Sequence, residues 1–509
     1  MKYLFLLLLF CTSFLNAQSK HDYNWVMGSS NVLMGEDFGA SVIDFNYDTL
    51  HIYKRNLLNA DYNLATSVVT YSDNNGKLQF FTNGRYILDS TFTLMQNGDD
   101  LEVGLTGYDG NAGNQSIVAM QMPSDTSKII LVYSDTRVDT LPYPYSSGLF
   151  YSIIDMKLNN GKGKVIEKNI QAYSGIMFAS PIGAVRHANG RDWWLTKLDN
   201  NNNKIYIFLL STNGLHLYSE QILDCSPFEP GLGQTVFSEN GEKYASIHHS
   251  GLLGEDYFFV IIANFDRCNA TFDQAVNIKF VNIGALGGGI AFSPNSKYLY
   301  ATSSNLLFQY DLNAIDIEKS IDTVAIFDGN IDPFPNDFYL MKLGPDGKIY
   351  VSCKNSSKYL TVINNPDKKG KACNVVQRQV KLKSYNQQTF QNHPNYRLGP
   401  LKGSPCDTVS VATKDIKPED YGIKLFPNPS STIIKIDITI PQYDPTIKTE
   451  VVVVDVSGAI VMRYVMPDFA YLATLDISKL PSGVYGVQLR QPQRSGAKVL
   501  ATEKLVVVE

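Results

Sequence analysis

Six short phrases with one grammar recur along this chain. Each has a turn rich in Asn, Asp, Gly or Ser, one or two polar residues, and then an alternating apolar strand. They are "SDNNGKLQFFTNG" from Ser72, "PSDTSKIILVYSD" from Pro123, "RHANGRDWWLTKL" from Arg186, "FSENGEKYASIHH" from Phe237, "FSPNSKYLYATSS" from Phe292 and "LGPDGKIYVSCKN" from Leu343. Measured between Gly76, Ser127, Gly190, Gly241, Ser296 and Gly347, the steps are 51, 63, 51, 55 and 51 residues. A repeat of that length, opened by a hairpin, holds one four-stranded propeller blade. Second strands such as "KIYIFLLSTNG", "NLLFQYDLN" and "KYLTVINNPD" follow at similar distances, and helical periodicity is nearly absent. With the strands at 38–53 and 376–390, the pattern predicts an all-β propeller of seven blades, the terminal segments closing the ring together. Two stacked β-sandwiches would share the turn chemistry without the near-constant step.

Bulk properties narrow the function classes. At 509 residues the chain exceeds one ordinary core. Its net charge of −5 provides no basic footprint for nucleic acid. The first residues read as an export leader: Met1-Lys2, the apolar run "YLFLLLLFCTSFL", then Ala17 as the small residue before a cut at Gln18. Residues 1–17 are therefore expected to be removed, and no later stretch is long and apolar enough to span a membrane. Cys225, Cys268, Cys353, Cys373 and Cys406 then remain, an odd number that allows at most two disulfides, with the pairing open. No CxxC pair exists to suggest a structural zinc.

Texture changes after Cys406. Residues 18–406 hold the propeller pattern, and 407–422 are polar and read as a linker. From 423 to 509 seven short strands with separate turns predict a small β-sandwich of immunoglobulin-like size. It opens on "KLFPNPSSTIIKI", in which Pro427 and Pro429 lack amide donors and cannot lie inside a paired central strand.

"LFPNPSSTIIKI", "VVVVDVSGAIV", "LDISKLPSGVYGVQL" and "KVLATEKLVVVE" occur in that order. The set resembles the C-terminal sorting domain of proteins exported by the type IX secretion system of Bacteroidetes, over roughly 423–509. The resemblance implies a seven-stranded domain that directs passage across the outer membrane, with the secretion machinery as partner and the cell surface or medium as destination. Pro427, Asn428, Pro429, Asp455, Gly458, Leu480, Pro481, Gly483, Val484 and Tyr485 match its recurrent positions; Gly486 departs, a bulkier residue being usual there. The propeller phrases, together with "AVRHANGRDWWL" and "NHPNYRLGP", are similar to the N-terminal propeller of large Bacteroidetes surface proteins. That likeness implies a fold and a compartment, and little chemistry.

Few residues in the propeller point to chemistry. There is no GxSxG, HExxH, Walker or DxDxDG motif. "GALGGGI" at 284–290 precedes a strand with no helix after it, so close packing explains it better than a phosphate cradle. His187, His248 and His249 sit near strand ends in successive repeats and are the metal-ligand candidates, although too few for a site. Trp193 and Trp194 must face opposite sides of their strand, so one could stack on a ligand. Tyr143 and Tyr145, in the loop "LPYPYSSGLFY", are the expected contact region. The reading is an exported, non-catalytic recognition or adhesion propeller for a glycan or protein, needing no cofactor. A metal-dependent propeller hydrolase or lyase and a passive envelope scaffold are the alternatives.

Overall fold

In the computed structural model each recurring phrase is the hairpin between the first two strands of a β-meander. Five of the six turns place Gly76, Gly190, Gly241, Ser296 and Gly347 at φ between +58° and +83°. That left-handed conformation costs an L side chain strain and costs glycine none, which explains the four glycines. The structure describes residues 19–508 apart from 60, 102–103, 105, 108–109, 139–140, 142–143, 180, 200–202, 229–231, 251–256, 282–287, 408–421, 440–448, 466–471 and 494–495. Two compact units result, Met1–Val409 and Ser410–Glu509.

Among the described residues the first unit is a β-propeller whose blades are seven sheets, at 24–55, 69–89, 117–178, 183–222, 232–281, 290–326 and 341–387, here blades 1 to 7, with a two-stranded ribbon of Thr106–Gly107 and Gly110–Asn111 besides. Blades 3 to 7 have four strands and blades 1 and 2 have three. The first strands of blades 1 and 2, 2 and 3, 4 and 5, 5 and 6, and 6 and 7 touch one another, which makes them the inner strands. Apolar clusters fill every seam between neighbouring blades. Trp25, Phe45, Tyr350 and Leu382 pack blade 7 on blade 1, and Val26, Val42, Phe81 and Leu88 pack blade 1 on blade 2. The ring is thus closed by sheet faces. The terminal segments meet where the ring closes: blade 1 packs on blade 7, and Gln391, beyond the last strand of blade 7, forms a parallel bridge to Val68 next to the inner strand of blade 2. Segment 38–53 supplies two strands of blade 1, and 376–390 is largely the outer strand of blade 7, Val375–Gln387, which lies against all three strands of blade 1. The glycine run also has its account. A Cβ on Gly289 would overlap the Tyr339 carbonyl, so the inner strand of blade 6 approaches blade 7 more closely than any side chain permits.

Among the described residues the second unit has seven strands in two sheets around one core. Gly422–Phe426, Ile433–Thr439 and Leu472–Asp476 form the smaller sheet. Ile460–Val465, Glu450–Val454, Gly483–Gln493 and Gly496–Val507 form the larger. Ile434, Ile436, Val451, Val453, Val487, Leu489 and Leu505 are buried between them. The proline pair gains a purpose here. With both flanking amides absent, the Asn428 side chain substitutes for a strand: its Nδ2 donates to Lys504 O at 2.6 Å and its Oδ1 accepts from Val506 N at 2.9 Å. Asp455 Oδ1 accepts from Ser457 N and Ala459 N, shaping a turn completed by Gly458 at φ +85°. Gly486 faces Val454, where a Cβ would meet the valine Cγ2 at 3.0 Å, so its small size is matched by its cross-strand neighbour.

One disulfide, Cys268–Cys406, joins residues 138 apart; Cys225, Cys353 and Cys373 are free. It ties the end of the propeller chain to the outer hairpin of blade 5. A loop of that length, once open, regains much unfolded-state entropy. Cys406→Ser is therefore expected to lower stability by about 2–4 kcal/mol in urea denaturation of the oxidised protein. Full-strength reducing agent should bring the wild type to the same midpoint.

Candidate functional site at the propeller axis

After blade 7 the chain does not leave the ring. Residues 389–401 turn inward and run along the axis as a strap. Gln391 Nε2 donates to Val26 O of blade 1, and Thr389 Oγ1 to Thr66 O. Asn392 Nδ2 is directed at Ile117 O and Ile182 O, at 2.9 and 3.0 Å, tying blade 3 to the entry of blade 4. His393 Nε2 lies 2.7 Å from Thr70 O of blade 2, and Tyr396 Oη donates to Ala119 O of blade 3. Two further amides bridge inner strands nearby: Gln234 accepts from Ile290 N and Met341 N, and Gln115 accepts from Thr235 N. Buried main-chain groups at the starts of the inner strands have no ladder partner across the axis, and these amides supply one.

Alongside these contacts a cavity opens, lined by Asp22, Glu239, Lys342, His393, Asn395 and Arg397 among others, with a volume of about 60 Å³. Four charged groups, Asp22, Glu239, Lys342 and Arg397, reach it from four separate stretches of chain. Arg397 Nη1 donates to Asp22 Oδ1 at 2.7 Å, with the two side chains 17% and 5% exposed. Burial pushes the Asp22 carboxyl up, but the charge and hydrogen bond of Arg397 outweigh it and hold the group below its ordinary value. Lys342 Nζ donates to His393 O at 2.6 Å; burial brings it down to about 8, opposed by Asp22 and Glu239. Glu239 is raised by burial, against the pull of Arg397 and Lys342, and its Oε2 accepts from Asn395 Nδ2 at 3.0 Å. Two acids and two bases balance, and each is bonded to the strap or anchors it. The cluster holds the strap in place.

Beside it, Trp193 Nε1, Tyr71 Oη, Arg186 Nε and His21 Nε2 lack a protein hydrogen-bond partner. His21 Nδ1 faces Ser72 O at 2.6 Å and must carry the proton, leaving Nε2 a bare acceptor among donors.

The residues singled out from sequence lie elsewhere. Tyr143, Ala17 and Gln18 fall outside the described residues. Tyr145 is 5% exposed, at the start of the strand Tyr145–Asp155. Trp193 and Trp194 do face opposite sides, yet both are buried. Trp193 lies under the Arg186 guanidinium, 3.7 Å from its ring centre, and Trp194 donates its indole N–H to Arg267 O at 2.7 Å. Neither ring has a free face, which corrects the stacking expectation. The reason is geometric: both faces of a blade are covered by its neighbours, so strand alternation does not turn a residue to solvent. His187 packs on Trp194, His248 is enclosed between Phe178 and Phe228, and His249 packs on Phe258. Adjacent on one strand, His248 and His249 point apart. Among the described residues no group of three His, Cys, Asp or Glu could hold a metal. Asp22, Glu239, Lys342 and Arg397 carry no sequence motif. The one hint was the amide-rich "QNHPNYRLGP" that follows the last blade strand.

Comparison with known proteins adds the following. Residues 424–507 match the family model described as the secretion system C-terminal sorting domain. No curated protein sequence matches the chain. Among solved structures, a functionally unknown protein from Desulfotomaculum acetoxidans is 15% identical, with 73% of this chain and 99% of that one covered at a TM-score of 0.39. A putative 6-phosphogluconolactonase from Bacteroides fragilis is 13% identical, covering 72% and 97% at 0.39. The Dos1 propeller is 12% identical, covering 66% and 91% at 0.33.

Acid should release the strap. His393, lowered to about 3 by burial and then by Lys342, is neutral when folded, so its contribution is complete above the unfolded value near 6.5 and is lost as pH falls toward 3. Asp22 adds a loss below about pH 4 as its carboxylate takes a proton. His393→Gln, which keeps a donor for Thr70 O, is expected to flatten the fall in melting temperature between pH 6.5 and 4. Arg397→Met should cost about 3–5 kcal/mol at pH 7, because it leaves Asp22 buried and unpaired.

Proposed function

With a C-terminal unit that is a type IX sorting domain, which takes this protein to the cell surface or the medium, we propose that the propeller is a non-catalytic recognition module displayed or released by that route. The single observation that supports this reading is the strap. In a propeller the axis is where groups from several blades can converge on one ligand. Here that space is occupied by the chain's own residues 389–401, hydrogen-bonded to the inner strands. The remaining cavity of about 60 Å³ is well below the 300–1,000 Å³ of usual ligand pockets. Its four charged groups are engaged with one another or with the strap, so none is free to act as an acid, base or nucleophile without dismantling it. Recognition then falls to the outer faces of the blades. No helix among the described residues is long and apolar enough to cross a membrane. Residues 1–17 are read as the leader, cut between Ala17 and Gln18, and 407–422 as the linker to the sorting unit.

Binding assays on the full-length secreted protein against surface polysaccharides and peptides, with mass spectrometry of the recovered ligand, test this. Ligand bound and returned intact is the expected result; conversion of the ligand would sink the reading, and self-association as the sole interaction would favour a scaffold. Amino-terminal sequencing of the secreted protein should begin at Gln18. A reporter fused to residues 407–509 should reach the surface in a host with the secretion system and remain inside one without it.

A further inference from the structure

A groove of about 410 Å³ lies at the seam of blades 7 and 1. Its volume lies in the range of small-molecule sites, unlike the axial cavity. One wall is the turn 45–50 between the strands Gly39–Asp44 and His51–Arg55; the other is the hairpin carrying Asp346 and Lys348, with Gln379 and Lys381 from the outer strand of blade 7. We propose that this groove binds a neutral saccharide, with Tyr47 as the stacking platform. The proposal rests on the recognition reading above and assigns it a place and a ligand class.

Tyr47 is 60% exposed, more than any other aromatic side chain recorded as exposed among the described residues. A single exposed aromatic ring is ordinary on a protein surface; Tyr47 is distinguished by being held beside a groove. Tyr47 is held. The Asn46 side chain donates to Asp44 Oδ1 and to Gly76 O, each at 2.8 Å, which pins the turn to its own strand and to blade 2. The His51 ring stands edge-on to Tyr47 at 5.0 Å. Phe45, at the base of the groove, is locked between Trp25 and Tyr350, with ring centres 4.8 and 5.8 Å away. A platform already rigid binds with little loss of conformational freedom.

The lining selects the ligand. Leu50, Ile52 and Val380 supply an apolar base; on the walls Asp48 and Thr49 offer acceptors, while Asp346 already accepts from Tyr350 Oη at 2.8 Å and the Gln379 amide is paired with that of Asn364. Lys348 and Lys381 are the donors that balance the two carboxylates, so the groove favours neither an anion nor a cation. A hydroxyl-rich neutral ring with an apolar C–H face meets each part: its face on Tyr47, its hydroxyls between carboxylate, amide and ammonium. A phosphate or uronate would meet two carboxylates, and an apolar peptide would leave four charged groups desolvated.

Calorimetry on the full-length protein with cello-, malto-, xylo- and chito-oligosaccharides, and with polygalacturonate as the acidic arm, decides the matter. The expected result is binding to at least one neutral series. Tyr47→Ala should weaken it tenfold or more with the melting temperature unchanged, and Tyr47→Trp should restore it. Phe334→Ala, at the opposite ends of the blade 7 strands, should leave binding as in the wild type. Tyr47→Ala binding as tightly as wild type, or no neutral saccharide binding at all, overturns the proposal. Binding of polygalacturonate or a defined protein without neutral sugars overturns it while leaving the recognition reading intact. Turnover of a sugar bound at Tyr47 does the reverse, keeping the groove and removing the non-catalytic reading.

Discussion

The propeller depends on how its buried main-chain groups are satisfied where seven sheets converge. Each inner strand pairs on one side within its own blade and turns its other edge to the axis, where no strand lies opposite. Leaving such groups unpaired away from water costs about 1–3 kcal/mol apiece, which a propeller cannot repeat around its ring. Side-chain amides meet the need: Gln391 and Asn392 of the strap, Gln115 and Gln234 of the inner strands. The disulfide at Cys406, the Arg267 guanidinium on Gly399 O and the Asp22–Arg397 ion pair then fix the strap along its length.

That arrangement divides the molecule's surface by role. The charged cavity at the axis anchors the strap. The groove of about 410 Å³ lies outward, at the seam of blades 7 and 1. The seam between blades 7 and 1 is distinctive because it joins the two ends of the ring, and the outer strand of blade 7 reaches across all of blade 1. The sorting unit follows a similar economy. Two prolines remove main-chain donors, and one asparagine side chain replaces them against the last strand.

Much of the fold was legible because its causes are local. Left-handed turns demand glycine or a small polar residue, strands demand alternation, and the two recur at nearly equal steps. Seven sheets therefore follow from six phrases and one flanking pair. The site was hardly legible. Trp193, Trp194 and Tyr145 carry the composition of a binding surface but lie beneath neighbouring blades. The histidines share a position along the repeat without sharing a space. Tyr47 sits in "FNYDTLHIY", a stretch indistinguishable from many other polar turns.

By itself the sequence determined the all-β class, the propeller repeat, the change of texture after Cys406 and the sorting address, since each is written in contiguous residues. Only the tertiary structure decided that Cys268 pairs with Cys406, that residues 389–401 enter the axis, and that Asp22, Glu239, Lys342 and Arg397 meet. It also brought Tyr47 opposite Gln379. The physical reason is ring closure: it places the two ends of the repeat array side by side, and no local pattern records which residues, hundreds apart, will then be neighbours.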